Sequence, residues 1–265
     1  MTLEVMRLAG SLGAEVHGVD AASLDDASFA ALHRAFLEHH VLVLRDQKLT
    51  PDQQVEFGRR FGTLYVHPIV PHIAGQPEVI EIANRGKQSS LTEVWHSDVS
   101  FAERPPLGSA LYALEVPAAG GDTLFANQHL AFERLSPGMR RMLEGLRGLH
   151  SGARLGSALG QGESWRDHAT AHPVVRTHPE TGRKALYVNE AFTVAFEDMT
   201  RRESAPLLRF LSAFATRPDL TLRHRWKAGD LVIWDNRSVQ HHAIHDHGDA
   251  TRRLHRITIE GDVPR

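Results

Sequence analysis

His96 and Asp98 lie two residues apart in Trp95-His96-Ser97-Asp98, and far downstream the run Trp234-Asp235-Asn236-Arg237-Ser238-Val239-Gln240-His241 offers a second imidazole. Two histidines and one carboxylate are the donor set that suits Fe(II), and three ligands on one face leave positions open for a co-substrate and oxygen. In an extended segment side chains alternate faces, so His96 and Asp98 are expected to point the same way. His241 has to be delivered by the tertiary fold. Taken alone, a His-x-Asp pair says little: the chain holds 18 histidines in 265 residues, and a histidine is usually a packed or solvated side chain.

Arg252, Leu254, Arg256 and Thr258 fall on one face of a strand-like run by the same period of two. Two arginines on an inward-leaning strand are costly to bury unless an anion pairs with them, and a guanidinium makes bidentate forks with carboxylates and sulfonate-like groups. The plain alternative is a pair of surface arginines in the basic stretch Arg252, Arg253 and Arg256.

Several elements must position these groups. Ser23-Leu24-Asp25-Asp26 has capping-box chemistry, with Phe29, Leu32, Ala35 and Phe36 following at helical spacing. Thr50-Pro51-Asp52-Gln53 opens a second helix carrying Val55, Phe57 and Phe61, with Gly62 as its stop. Ser136-Pro137 starts a third through Met139, Met142, Leu143 and Leu146, and Thr200-Arg201-Arg202-Glu203 a fourth through Leu207, Leu208, Leu211 and Phe214. Strands are expected at 41–44, 79–83, 109–116, 122–126, 173–177, 185–188, 220–226, 230–235 and 253–261, with hairpin-turn chemistry at Pro179-Glu180-Thr181-Gly182. Strands dominate the part holding the candidate ligands. That predicts a mainly β protein with α elements, a sandwich of jelly-roll type with helices packed outside. The Gly- and Ser-rich stretch 152–168 reads as irregular: a surface loop, or an active-site flap around 150–170.

Residues 1–265 read as a single domain, with no repeat, low-complexity tract or linker. The absence of cysteine rules out disulfides, thiolate catalysis, Cys-ligated zinc and iron–sulfur clusters. A net charge of −2 gives no basic footprint for nucleic acid. Met1-Thr2-Leu3-Glu4-Val5 lacks signal-peptide character and no apolar run approaches a membrane span, so a cytoplasmic protein is expected.

With these residues laid out, the chain resembles the Fe(II)- and 2-oxoglutarate-dependent dioxygenases of the taurine/2,4-dichlorophenoxyacetate dioxygenase family. The resemblance runs in order through Leu12-Gly13-Ala14-Glu15-Val16-His17-Gly18-Val19-Asp20, Trp95 to Phe101, Gly120-Gly121-Asp122-Thr123, His172 to Pro179, Trp234-Asp235-Asn236-Arg237 and Arg252-Arg253-Leu254-His255-Arg256. It implies a double-stranded β-helix (jelly roll) core with flanking helices. It also implies His96, Asp98 and His241 as iron ligands, and Thr123 with Arg252 at the distal carboxylate of 2-oxoglutarate. O2 would be the second co-substrate, with succinate and CO2 as products and a hydroxyl delivered to substrate. A homo-oligomer, dimer or tetramer, is expected by the same resemblance.

Within the family the chain is most similar to the taurine and alkylsulfate branch. His67 and Arg256 match the residues that contact a sulfonate, and the backbone of Val99 matches the nearby amide. Taurine dioxygenases place a tyrosine and an asparagine around the substrate amine, where this chain has Val70 and Thr92; Phe192 keeps an aromatic wall. The expected substrate is therefore a small organic anion, an alkyl or aryl sulfonate or sulfate ester, with an aryloxyalkanoate as the alternative. His242, His245 and His247 match no ligand position. Two other readings remain at this point: a zinc hydrolase using that His-rich segment, and a non-catalytic anion-binding jelly roll.

Overall fold

Four consecutive apolar residues at Val41–Leu44 make sense only if both faces of that strand are covered. In the computed structural model, which describes residues 3–67, 70–84, 92–158 and 169–265, they are. Val41 and Val43 join one buried cluster with Leu111, Ala113, Val232, Trp234 and Leu254. Leu42 and Leu44 join another with Ala110, Tyr112, Leu231, Ile233, Ile257 and Ile259. Alternate residues of each strand thus go to opposite faces, as a pleated backbone requires.

These strands belong to an eight-stranded sheet in the order Glu4–Arg7, Ala14–His17, Val41–Leu44, Leu231–Asp235, Gly108–Glu115, Arg252–Ile259, Gln76–Asn84 and His72–Ile73. Pairing is antiparallel except between Ala14–His17 and Val41–Leu44, whose parallel register uses the helix Asp26–His39 as its crossover. That helix and Pro51–Arg59 cover one face of the sheet through Leu32, Phe36, Val55 and Phe57. A three-stranded sheet, Thr221–His224, Thr123–Asn127 and Val239–Ala243, covers the other through Leu222, Phe125 and Val239. The third cluster packs Arg201–Ala215 and the short helices Gln128–Glu133 and Pro137–Glu144 on the remaining small strands. The protein is mainly β with helices outside, as the sequence predicts.

Both Thr50/Gln53 and Thr200/Glu203 form capping boxes, each cap contributing about 1 kcal/mol. At the first helix the cap sits two residues later than Ser23: the Asp25 side chain accepts from the Ser28 amide at 2.7 Å, while Ser23 donates to Asp20. The expected strand at 173–177 is two, Ala169–Pro173 and Val175–Thr177, in different sheets, because Val174 between them turns into the third core. Within the expected irregular stretch, Ala153–Ala158 is a short helix; residues 159–168 of the flap lie outside the described residues. No helix among the described residues is long and apolar enough to cross a membrane.

Candidate metal centre and its two pockets

His96 and His241 are held opposite one another by an isolated antiparallel bridge, His96 N to His241 O at 3.1 Å and His241 N to His96 O at 2.8 Å. Residues directly opposite across such a pair project from the same face, and the two rings lie 4.1 Å apart between centroids. The segment before His96 continues along the edge of Val239–Ala243, where the Ala243 amide donates to Thr92 O at 2.9 Å.

Asp98 reaches the same point by a different route from the one expected. It lies in a turn rather than a strand, followed by Val99 at φ +46°, a left-handed conformation rare for a β-branched residue. The turn is held from outside: Asn236 Oδ1 accepts from the Asp98 amide at 3.3 Å and its Nδ2 donates to Asp98 Oδ2 at 3.1 Å. Ser109 Oγ and Arg256 Nη2 donate to the same Oδ2 at 2.9 and 2.8 Å. Oδ1 is left facing His96 Nε2 at 3.8 Å and His241 Nε2 at 3.6 Å. Donor atoms of the three side chains all lie within 4.8 Å of one another, and all three residues are buried.

The charge states suit a metal ligand set. Burial pushes the His96 imidazole below its ordinary pKa, and burial plus the neighbouring His96 pushes His241 well below. Both are neutral at pH 7, so the 3.6–3.8 Å contacts to Asp98 are not ion pairs. Burial alone would raise Asp98, but the Arg256 guanidinium outweighs it and holds the carboxyl well below the usual range. His96 Nδ1 lies 2.8 Å from Val94 O, turning Nε2 inward, and His241 Nδ1 is buried without a partner among the described residues. Two neutral imidazoles and one carboxylate converging on a point fit a divalent ion of the Fe(II) type.

Two cavities flank this point. One, of about 230 Å3, is lined by all six residues expected at the substrate: His67, Val70, Thr92, Val99, Phe192 and Arg256. Ile80, Ile82 and Leu155 extend its apolar wall, and Tyr65 borders it. His67 Nδ1 accepts from the Val70 amide at 2.9 Å, so the ring proton sits on Nε2. Burial, then Arg256, lowers the pKa of this ring.

The other cavity, about 200 Å3, is lined by Thr123, Trp226, His241, Arg252 and Asn84, and it shares Thr92, Ile82 and Arg256 with the first. Arg252 is 4% exposed. Its Nε donates to Gly121 O at 3.0 Å, its guanidinium lies 5.5 Å from the Trp226 ring, and no ion pair holds it among the described residues. Burial lowers its pKa to about 10, with Asp122 opposing. The surface-arginine reading therefore fails for Arg252. Thr123 Oγ1 accepts from Trp226 Nε1 at 3.0 Å on the same wall. A larger cavity of about 450 Å3, beside the helix Arg201–Ala215, contains none of these residues, so the chemistry follows the donor set rather than cavity size.

His242, His245 and His247 do not converge. His242 packs on Trp95 at 5.5 Å, His245 Nδ1 lies 3.9 Å from Glu93 Oε1, and His247 Nδ1 lies 2.9 Å from Ala250 O. Among the described residues, His96, Asp98 and His241 are the one set that could hold a metal ion, and zinc in the His-rich segment has no site there. Sequence reasoning did not single out Ser109, Trp226, Asn84, Tyr65 or Asn236 as site residues. Only Asn236 lay within a quoted motif; nothing in the spacing of the others marks them.

Buried His-Asp-His donors at the rim of two facing sheets, with a cation in each adjoining pocket, define a non-haem metal oxygenase type of centre. Comparison with known proteins agrees. Residues 4–258 match the model described as Taurine catabolism dioxygenase TauD, TfdA family, and the chain belongs to this family. It is 36% identical to an alkylsulfatase of Acinetobacter baylyi, covering 98% of this chain and 86% of that protein. It is 34% identical to an alpha-ketoglutarate-dependent sulfate ester dioxygenase of Pseudomonas putida, covering 100% and 91%. A crystal structure of a taurine dioxygenase from Burkholderia xenovorans superposes with a TM-score of 0.88 at 38% identity, covering 100% of this chain and 91% of that one. The protein is a 2-oxoglutarate-dependent oxygenase.

Proposed function

We propose that this oxygenase hydroxylates an alkyl or aryl sulfonate or sulfate ester at the carbon beside the heteroatom. The observation that carries the reading is the pairing of two cation-bearing pockets about one metal-competent triad: Arg252 in one, His67 in the other, and Arg256 lining both. In this reading His96, Asp98 and His241 hold Fe(II), and Thr123 and Arg252 hold the distal carboxylate of 2-oxoglutarate. Arg252 is buried with no ion pair among the described residues, where a guanidinium is costly without an anion, and a dicarboxylate would supply one. The bound iron with 2-oxoglutarate and O2 supplies the oxidation, coupled to decarboxylation to succinate and CO2.

The chain's own residues bind, orient and exclude water. Arg256, the proton-bearing Nε2 of His67 and the Val99 amide gather three donors suited to a tetrahedral oxyanion. Val70, Thr92 and Phe192, with Ile80, Ile82 and Leu155, give the rest of the substrate an apolar wall in place of groups that would solvate an amine. A hydroxyl placed beside the heteroatom makes the product collapse to an aldehyde, with release of sulfite from a sulfonate or sulfate from an ester. The relatives named above for sulfate esters and alkylsulfates support this class. We read the two facing sheets as a double-stranded β-helix, and the enzyme as a cytoplasmic homo-oligomer, dimer or tetramer.

The test is succinate formation by Fe(II)-loaded protein with 2-oxoglutarate and O2, across taurine, alkylsulfonates, alkyl sulfates and phenoxyalkanoates. Stimulation by sulfonates or sulfate esters, with sulfite or sulfate released, is expected. Stimulation by phenoxyalkanoates alone would assign Arg256 to a carboxylate and make this an aryloxyalkanoate dioxygenase. Failure to bind 2-oxoglutarate would overturn the site reading.

A further inference from the structure

The Asp98 carboxylate is unevenly satisfied. Oδ2 receives Ser109 Oγ at 2.9 Å, Asn236 Nδ2 at 3.1 Å and Arg256 Nη2 at 2.8 Å, whereas Oδ1, which faces both imidazoles, receives no hydrogen bond among the described residues. A carboxylate oxygen offers about two lone-pair directions, so Oδ2 is fully committed. From this geometry we infer that Asn236, seconded by Ser109, is a positioning residue that restricts Asp98 to a single ligating oxygen.

The orientation of the Asn236 amide is fixed by its other neighbours. Its Oδ1 faces two groups that can only donate, Trp234 Nε1 at 2.9 Å and the Asp98 amide at 3.3 Å. The opposite end must therefore be the NH2, and it meets an acceptor-only carboxylate. Asn236 is 2% exposed and its backbone N–H donates to Leu107 O at 2.8 Å, which ties down the main chain beneath a buried side chain. Ser109 is fully buried on the strand Gly108–Glu115, and its hydroxyl also accepts from Arg256 Nη2 at 3.0 Å. Arg256 is the cation offered to the substrate; Asn236 and Ser109 are the donors whose placement does not depend on a ligand.

The denticity matters because coordination positions are few. If two imidazoles and one carboxylate oxygen held Fe(II), room would be left for a chelating 2-oxo acid and O2. A carboxylate that swings to two-oxygen ligation takes some of that room. The carboxylate's outer partners thus decide whether the co-substrate has room, without touching it. This inference rests on the metal and co-substrate assignments proposed above.

The experiment is anaerobic titration of Asn236→Ala and Ser109→Ala against the parent protein. Fe(II) affinity is read by chelator competition, 2-oxoglutarate by the charge-transfer absorption of the Fe(II) complex, and folding by thermal melting. In Asn236→Ala the 2-oxoglutarate dissociation constant is expected to rise about tenfold, the usual scale for loss of an outer partner. The Fe(II) constant is expected to change less than the 2-oxoglutarate constant, because with two of three donors left the carboxylate is loosened toward two-oxygen ligation rather than lost as a ligand. Ser109→Ala, which deletes one hydroxyl, is expected to move in the same direction by less. Unchanged 2-oxoglutarate binding in both variants overturns the inference. A parallel fall of Fe(II) affinity, 2-oxoglutarate affinity and melting temperature also overturns it, since that reports mere loss of packing. A parent protein that binds no Fe(II) overturns both this and the site reading beneath it.

Discussion

Arg256 Nη2 donates to Asp98 Oδ2 at 2.8 Å, so a cation lining the proposed substrate pocket also touches a residue of the metal-competent triad. Arg252, four residues earlier on the same strand, touches no carboxylate among the described residues and lines only the other cavity. The proposed reading gives the two arginines separate tasks, and substitution tests that. Arg252→Gln is expected to raise the KM for 2-oxoglutarate roughly 10- to 100-fold, matching loss of a charge-assisted hydrogen bond of about 1.5–3 kcal/mol. Arg256→Ala is expected to abolish stimulation by the prime substrate while 2-oxoglutarate still binds. The reverse pattern in initial-rate kinetics would exchange their roles.

Metal loading should show as stability. An ion that binds only the folded chain adds about 2.7 kcal/mol at a hundredfold excess over its dissociation constant. Addition of Fe(II) or Mn(II) to chelator-treated protein is expected to raise the melting temperature by several degrees, and Asp98→Ala is expected to show no rise. Equal rises in both proteins would place the ion elsewhere.

Acid should weaken the fold well above the range in which carboxylates titrate. Burial holds His40 and His150 at about 3 and His129 at about 4, against an ordinary value of 6.5. Protons therefore bind these residues more tightly in the unfolded chain. The stability they contribute is complete above pH 6.5 and drains away as pH falls through 5 and 4 toward 3. Between pH 6.5 and 5 the loss is on the order of 2 kcal/mol per histidine. Urea unfolding at pH 7 and pH 5 measures it, and equal stabilities would contradict the burial argument.

Chain length should tune turnover. The wall formed by Val70, Ile80, Ile82, Leu155 and Phe192 is apolar, and each buried methylene is worth about 0.8 kcal/mol, close to fourfold. Across a series of linear alkyl sulfates or sulfonates, kcat/KM is expected to climb about fourfold per added carbon until the cavity is filled. Val70→Tyr with Thr92→Asn is expected to flatten that climb and improve taurine. A flat series in the parent enzyme would place the tail outside this pocket.

The strand Arg252–Ile259 was legible because its alternation of Arg252, Leu254 and Arg256 against Ile257 and Ile259 is written at a period of two, shifted by one irregularity between Arg253 and Leu254. Asp98 illustrates what was not. A periodic argument put it on a strand, and it reached the predicted place from a turn with Val99 at positive φ. The force that holds it there is an amide 138 residues away in sequence, which no local pattern encodes. Thr123 was named through family resemblance alone. Trp226, which fixes that hydroxyl, belongs to a segment read simply as a strand. The helix at Ala153–Ala158 was hidden by the glycines and serines around it, which read as an irregular loop.

The antiparallel bridge between His96 and His241 joins two segments that have no local reason to meet. Its consequence concerns the order of assembly. Until the three-stranded sheet has closed and its edge has captured the 92–96 segment, there is no second imidazole to offer. An unfinished chain holds at most an ordinary His-x-Asp pair, a poor chelator. On the metal assignment proposed above, iron would bind last rather than act as a nucleus for folding, unlike in a zinc finger, where metal and fold appear together. On the same assignment, a chain that began to unravel at that edge would surrender its ion before it lost its core.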